Sequence, residues 1–350
     1  MSRLSRWLRK KMRKYCGFEE LLGKLNEQTA EIIPNVMLCH EVLLCDYYRD
    51  FIKHLLAIND KKQMEVHNLQ HSVYSYFITH QKELAIITQN LDDVSNNILF
   101  YSLFLGICVL LFFEDPYGIF IKAKHQEIML LIDNEVKSTW DILASKEVAS
   151  LDEQNLPDNI QLAEGMYIID GGALDGDTAM LFSKYVGTEG KIFSFEPSKE
   201  SFVKLVGKNI QNNICINKGL YSESKTLKFA YNSEFPGGSC LSEAGADFVE
   251  VVSIDEFVEE ERIPHIDYIK MDIEGAELPA LVGAYKTIRQ FHPYLAISIY
   301  HNLGRDYIDV PYYLITQHKD IYSFFVRKNH VAWTEITIYA LPRKKANFCC

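Results

Sequence analysis

M-Y-I-I-D-G-G-A-L-D-G-D-T, residues 166–178, is the stretch around which this chain is organised. Met166 to Ile169 are apolar and β-prone. Asp170 follows, then Gly171, Gly172 and Gly176, and a helical pattern starts at Thr178. The order predicts a buried strand, a glycine turn and a helix start. Glycines let the backbone take a positive φ and come close to a ligand. Asp170, Asp175 and Asp177 make the turn unusual, because a helix N-terminus built to hold a pyrophosphate would avoid three carboxylates.

Three acids suit a ligand that carries cationic groups and hydroxyls and no phosphate. S-adenosyl-L-methionine, with a sulfonium, an ammonium and a ribose diol, fits that description. A tight turn of any α/β protein, with no ligand, is the bland alternative. Ile192 to Phe195 reads as a second strand ending at Glu196-Pro197, Ser198 to Asn209 as a helix, and Asn213 to Asn217 as a third strand. Strands alternating with helices predict a parallel, doubly wound sheet. Glu196 falls at the end of the strand after the glycine turn, where an acid takes both ribose hydroxyls in nucleoside-binding α/β folds.

Thr226 to Tyr231 and Phe248 to Val252 flank a loop with Pro236, Gly237, Gly238 and Gly245. This is an inserted hairpin, either a flap over the site or a solvent-exposed ribbon with no part in the chemistry. The next motif is I-D-Y-I-K-M-D-I-E-G-A-E, residues 266–277. It puts Asp272, Glu274 and Glu277 at the end of an alternating strand, where ligands of open α/β sheets bind. Leu278 to Arg289 reads as one helix and Pro293 to Ile299 as a strand that leads to Tyr300-His301-Asn302. His301 is placed for acid–base work, or is a structural histidine bonded to backbone. Residues 321–327 and 334–340 read as an antiparallel pair at the sheet edge.

The first 160 residues read as a mainly helical region, with residues 161–345 as the second domain. Residues 1–14 hold seven basic residues and no acid in a chain of net charge −11. Leu4, Trp7, Leu8, Met12 and Tyr15 recur among them at helical spacing. Such a helix can touch an anionic membrane surface, or pack on the protein with a solvated basic face. The acidic remainder argues against a nucleic-acid partner. His67 and His71, four apart, read as surface or core histidines, and no metal site is assigned. The uncharged run of residues 98–113 is shorter than the ~20 residues that span a bilayer and reads as a buried helix running into a strand, with a membrane element as the alternative. Eight cysteines without a C-x-x-C pair predict free thiols in a reducing compartment. The basic start has no apolar run and cleavage site after it, so the expected location is cytoplasmic, with membrane association through residues 1–14.

D-G-G-A-L-D-G-D-T, F-E-P, D-Y-I-K-M-D-I-E-G-A-E, A-I-S-I-Y-H and T-I-Y-A, in this order, resemble the FkbM-type S-adenosylmethionine-dependent methyltransferases. The resemblance covers about residues 160–341. It implies a class I methyltransferase (Rossmann-like) fold, a seven-stranded sheet with the last strand antiparallel. It also implies O-methylation of a sugar, glycan or natural-product hydroxyl. Carried over by position, the cofactor site would comprise Asp170, Gly171, Gly172, Asp175, Gly176, Asp177, Thr178, Glu196, Pro197, Asp272 and Glu274. Glu277 completes the acidic motif, and His301 or Asp272 would be the base. Two other functions stay open. A nicotinamide-dependent oxidoreductase is disfavoured because the turn lacks G-x-G-x-x-G. A non-catalytic cofactor- or glycan-binding module on the same fold is disfavoured by the intact acidic cluster.

Overall fold

The computed structural model describes residues 76, 79–92, 94–96, 98, 99, 160–234, 236–328 and 336–343. The chain divides into two compact units, Met1–Ser145 and Lys146–Cys350. The basic segment 1–14, His67, His71 and most of the apolar run 98–113 lie outside the described residues. In the first unit, α1 (Gln81–Thr88) buries Leu84 and Ile87 completely. After it, Asp92 Oδ1 accepts the Ser95 amide at 2.6 Å as the helical backbone resumes. No helix among the described residues is long and apolar enough to cross a membrane.

The second unit starts as alternating strands and helices: β1 (Tyr167–Gly171), α2 (Asp177–Val186), β2 (Lys191–Phe195), α3 (Lys199–Gly207) and β3 (Asn213–Ile216). An inserted sheet follows, made of β4 (Gly219–Leu220), β5 (Lys225–Ala230), β6 (Cys240–Leu241) and β7 (Asp247–Val252). The alternation resumes with α4 (Ile254–Glu260), β8 (Tyr268–Met271), α5 (Glu277–Val282), α6 (Tyr285–Phe291), β9 (Tyr294–Ser298) and α7 (Asp306–His318), and ends in β10 (Tyr322–Lys328) and β11 (Ile336–Pro342).

The main sheet has the order β10-β11-β9-β8-β1-β2-β3. β1 is parallel to β2 and β8 and is buried from Ile168 onward. A strand buried on both faces reads as a near-continuous apolar run, which is why Met166 to Ile169 show no alternation before the buried Asp170. Ala179, Phe182 and Val186 of α2 close one face against Ile168, Ile192 and Tyr268, and the Phe182 and Tyr268 rings lie 5.3 Å apart. β11 runs antiparallel to both β9 and β10. The expected terminal pair is present, but β11 inserts between β9 and β10, so β10 alone forms the edge. Phe325 stacks on Tyr339 across that pair at 5.1 Å.

The structure corrects the single helix expected over Leu278 to Arg289, which is broken into α5 and α6. Gly283 sits at the break, where a Cβ would lie 2.3 Å from the Tyr221 carbonyl oxygen. Asp255 of α4 caps α6, accepting the Lys286 amide at 3.0 Å, the Thr287 amide at 2.8 Å and the Thr287 hydroxyl at 2.7 Å. The capping group is thus remote in sequence, and helical periodicity cannot reveal it. The acidic helix expected after Val252 is α4, started by a Ser253–Glu256 capping box.

Candidate active site

The first glycine turn is held by its neighbours. The amides of Gly172 and Ala173 donate to the Phe195 carbonyl at 3.0 and 3.1 Å. Gly172 has φ 72°, and a Cβ on it would lie 1.9 Å from the Asp272 carbonyl oxygen. Only glycine lets the end of β1 and the end of β8 approach this closely. Lys270, buried on β8, donates to the Gly171 and Gly172 carbonyls at 3.0 and 2.9 Å and lies 3.3 Å from Asp170. Asp170 is completely buried. Burial pushes its carboxyl above the usual range against the pull of Lys270. Burial would lower the Lys270 ammonium, but Asp170 and Asp272 outweigh it and hold it above the ordinary lysine value. Asp170 therefore lies beneath the turn, paired with Lys270, and is not at the pocket surface.

The turn's other two acids also point elsewhere. Asp177 hydrogen-bonds Lys208, whose ammonium is 3.8 Å from Asp175. Asp177 opens α2, where a negative charge favours the helix. Neither acid, nor Gly171, Gly176 or Thr178, is among the residues lining the pocket.

Glu196 is 6% exposed at the end of β2. Its Oε2 accepts the Leu174 amide at 2.9 Å and its Oε1 the Ser198 amide at 2.8 Å. Burial outweighs these two bonds and raises its pKa to about 7. Asn217 of the β3–β4 connection donates to the Glu196 carbonyl at 2.8 Å and fixes the backbone there.

The loop from β8 to α5 is organised from inside by Glu277. This carboxylate is fully buried. Oε1 accepts the Ile273 amide at 2.9 Å and meets His301 Nδ1 at 2.8 Å, and Oε2 accepts the Gly275 amide at 2.9 Å. The loop carries Glu274 at φ 55°. Asn302 ties it down further, donating to the Gly275 carbonyl at 2.8 Å and to the buried Asp306 carboxylate at 3.0 Å. His301 Nε2 is 3.6 Å from both Asp272 Oδ1 and Glu274 Oε1. Burial opposes a charged ring, but Glu277, Glu274 and Asp272 prevail and hold the imidazole well above its ordinary pKa. Tyr300 donates to Asp272 Oδ1 at 3.1 Å.

These elements enclose a pocket of about 900 Å³, counted out to its open mouth. Gly172, Glu196, Pro197, Asp272 and Glu274 line it, together with Leu174 and Tyr300. His301 stands behind this surface, 8% exposed. The inserted sheet supplies a wall through Pro236, Gly237, Ser239, Cys240 and Leu241, so it is not a solvent-exposed ribbon. Sequence reasoning missed Tyr300 and Lys270, whereas the wall is the flap alternative read from the sequence. The Y-H pair at 300–301 and the lysine inside D-Y-I-K-M-D were signals for these two. Among the described lining residues there is no lysine or arginine, and three are carboxylates.

The model of the methyltransferase FkbM domain matches residues 170–331. The matched residues, here called the FkbM domain, make up just under half of the chain. Hexuronic acid methyltransferase AglP of Haloferax volcanii is 30% identical over 100 residues, which is 27% of this chain and 42% of that protein. The crystal structure of methyltransferase FkbM from Methylobacillus flagellatus superposes with a TM-score of 0.51 at 17% identity, over 76% of this chain and 60% of that one. The chain thus spans less than half the length of the curated relative and three-fifths of the solved one. The strand order, with β11 as the single antiparallel strand of the main sheet, is the class I methyltransferase arrangement. The matched residues are thus similar to methyltransferases of that family in sequence, and the fold is that of the class I methyltransferases.

Proposed function

We propose that the FkbM domain, with residues 161–345 as its working unit, transfers the methyl group of S-adenosyl-L-methionine to a hydroxyl of a sugar or glycan. The observation that carries this is the pocket at the carboxyl ends of β1, β2 and β8, lined by Glu196, Asp272 and Glu274 with no described cation. Open α/β sheets bind ligands at that edge. Carboxylates without cations fit a sulfonium, an ammonium and a ribose diol, and they disfavour the phosphates of a nicotinamide dinucleotide. A sugar acceptor is supported by the name of the Haloferax relative.

When bound, S-adenosylmethionine supplies an electrophilic methyl group on a sulfonium. Glu196 takes the ribose hydroxyls, and the Gly172 turn gives the ligand close access to backbone. Asp272 faces the pocket with Tyr300 on Oδ1, so it is placed to take the proton of the acceptor hydroxyl. His301 lies behind that carboxylate and positions it. Holding sulfur, methyl carbon and acceptor oxygen in line supplies much of the acceleration, and the base contributes about 10²–10⁴-fold. Incubation of the full chain with methyl-labelled S-adenosylmethionine and a panel of neutral and uronic sugars tests the reading. Label should pass to a sugar hydroxyl, and Asp272→Asn should lower turnover about 10²-fold or more. Transfer to none of them, by a protein that still binds the cofactor, would favour the non-catalytic module.

The raised pKa of Glu196 gives a pH prediction. A carboxyl whose pKa is raised on folding favours the fold below its unfolded value, and that contribution is lost as pH rises through about 7. Ligand binding runs the other way, because only the ionised carboxylate accepts both ribose hydroxyls. Affinity for S-adenosylhomocysteine should fall as pH drops through about 7, reaching roughly tenfold per unit below it. Titration calorimetry across this range should show that slope in the wild type and lose it in Glu196→Gln. Equal slopes in the two proteins would remove Glu196 from the ribose site.

A further inference from the structure

We infer that Lys270 is a positioning residue of this site: one buried ammonium, seated between β1 and β8, that locks the glycine turn and balances the carboxylates on both sides of the pocket. A strand buried on both faces reads as an apolar run, and β8 is buried at all of its residues, Tyr268 to Met271. A lysine there breaks that pattern. Replacing a buried ion pair by apolar side chains is often neutral or stabilising, so stability alone does not account for Lys270 paired with Asp170. Their place in the fold does. Lys270 is 8% exposed and is not among the residues that line the pocket, so it acts through the groups it holds.

An ammonium has three N–H donors, and Lys270 Nζ has an oxygen for each. The Gly171 carbonyl is at 3.0 Å, the Gly172 carbonyl at 2.9 Å and Asp170 Oδ1 at 3.3 Å. The peptide joining Gly171 to Gly172 is thereby held at both ends. Its carbonyl also accepts the Asp272 amide at 3.2 Å, and its N–H donates to the Phe195 carbonyl at 3.0 Å. Two residues on, the Leu174 amide donates to Glu196 Oε2 at 2.9 Å. One lysine therefore fixes the backbone that ties β8 to the proposed ribose acid. The Asp170 oxygens are buried and have no hydrogen-bond partner apart from this ion pair, so Lys270 supports the charge of Asp170. The charged groups facing the ammonium are Asp170 of β1, Asp272 at the end of β8 and Glu196 at the end of β2. Burial raises the Glu196 carboxyl, its two amide bonds and Lys270 oppose that, and Asp170 adds to it. The locking of the turn for a cofactor rests on the methyl-transfer reading, whereas the charge balance does not.

The test follows the Glu196 carboxyl of the full chain through a pH titration by NMR, with isotopically labelled glutamate and the signal assigned from Glu196→Gln. The wild-type midpoint is expected at about 7. It should rise in Lys270→Met and fall in Asp170→Asn, opposite shifts that a merely structural lysine does not produce. Calorimetry with S-adenosylhomocysteine runs in parallel. Lys270→Met and the double variant Asp170→Asn/Lys270→Met should bind it about tenfold or more weakly, the effect of losing one hydrogen bond from a charged donor. The double variant leaves no orphaned charge, so it should melt close to wild type. It takes the place of Lys270→Met if that variant fails to fold, and its midpoint should still rise, because Lys270 outweighs Asp170 at Glu196. Midpoints that stay together or move the same way in the two single variants overturn the inference, as does wild-type affinity in the double variant. A wild type that binds no S-adenosylhomocysteine removes the methyl-transfer reading. Opposite midpoint shifts would then still support the charge balance, and their absence would overturn it.

Discussion

Glu277→Ala should cost the FkbM domain about 3–5 kcal/mol, the range for breaking a buried pair by removing one partner. Glu277 is fully buried and is the common acceptor of the Ile273 amide, the Gly275 amide and the His301 ring. Its removal leaves three donors without an acceptor, and each orphaned buried donor costs about 1–3 kcal/mol. For a unit of this size the melting temperature should fall by roughly 6–20 °C. Glu277→Gln keeps one carbonyl oxygen for Ile273 and His301 but turns an amide group toward the Gly275 N–H, so it should lie between wild type and alanine. Adding His301→Ala to Glu277→Ala should recover part of the loss, since one orphan is removed. Scanning calorimetry on the four proteins decides it. A melting temperature for Glu277→Ala within a degree or two of wild type would mean that the loop is not held from Glu277.

The second large effect belongs to Gly172→Ala. At φ 72° a side chain costs about 1–3 kcal/mol in backbone strain. Its Cβ would also lie 1.9 Å from the Asp272 carbonyl oxygen, which is backbone and cannot swing aside. Forcing atoms into a packed site adds about 1–3 kcal/mol and drives the β1 turn away from the end of β8. Cofactor binding should be lost along with stability, because both walls of the pocket move. Gly165→Ala is the matched control. It carries a similar φ of 85° with nothing within 4 Å of the new Cβ, so it should show the strain without the loss of binding. Equal S-adenosylhomocysteine affinity in Gly172→Ala and Gly165→Ala would show that the β1–β8 contact does not shape the site.

The sheet was legible because its central strands are short apolar runs ending in glycine or acid. Met166 to Ile169 and Ile192 to Phe195 announce themselves this way, and Ile269 to Met271 by alternation about Lys270. The ends of these strands then locate the pocket, which is why Glu196, Asp272 and Glu274 could be named from sequence. The direction in which an acid points could not be named. Asp170, Asp175 and Asp177 lie within eight residues, yet one is buried against Lys270 and the others meet Lys208, which follows α3 and lies 31 residues beyond Asp177. Local spacing places a residue on an element but does not choose its partner. The break between α5 and α6 was hidden for a related reason, since Asp255 caps it from another helix. α7 carries Pro311 in its interior, a residue that in sequence argues against a helix. His301 was read correctly as a neighbour of the acidic cluster. Its position behind Asp272, set by Glu277, required the three-dimensional arrangement.

The proposed occupant of the acid-lined pocket is the sulfonium nucleoside S-adenosylmethionine. Titration of the full chain with S-adenosylhomocysteine and with NAD, in wild type and in Glu196→Ala, separates that occupant from a dinucleotide. Saturable binding of S-adenosylhomocysteine to one site per chain and no binding of NAD are expected. Glu196→Ala should lose roughly 1.5–3 kcal/mol of affinity, the range for hydrogen bonds to a charged group. No heat from S-adenosylhomocysteine at millimolar concentration, or saturable binding of NAD at the same pocket, would contradict this proposal.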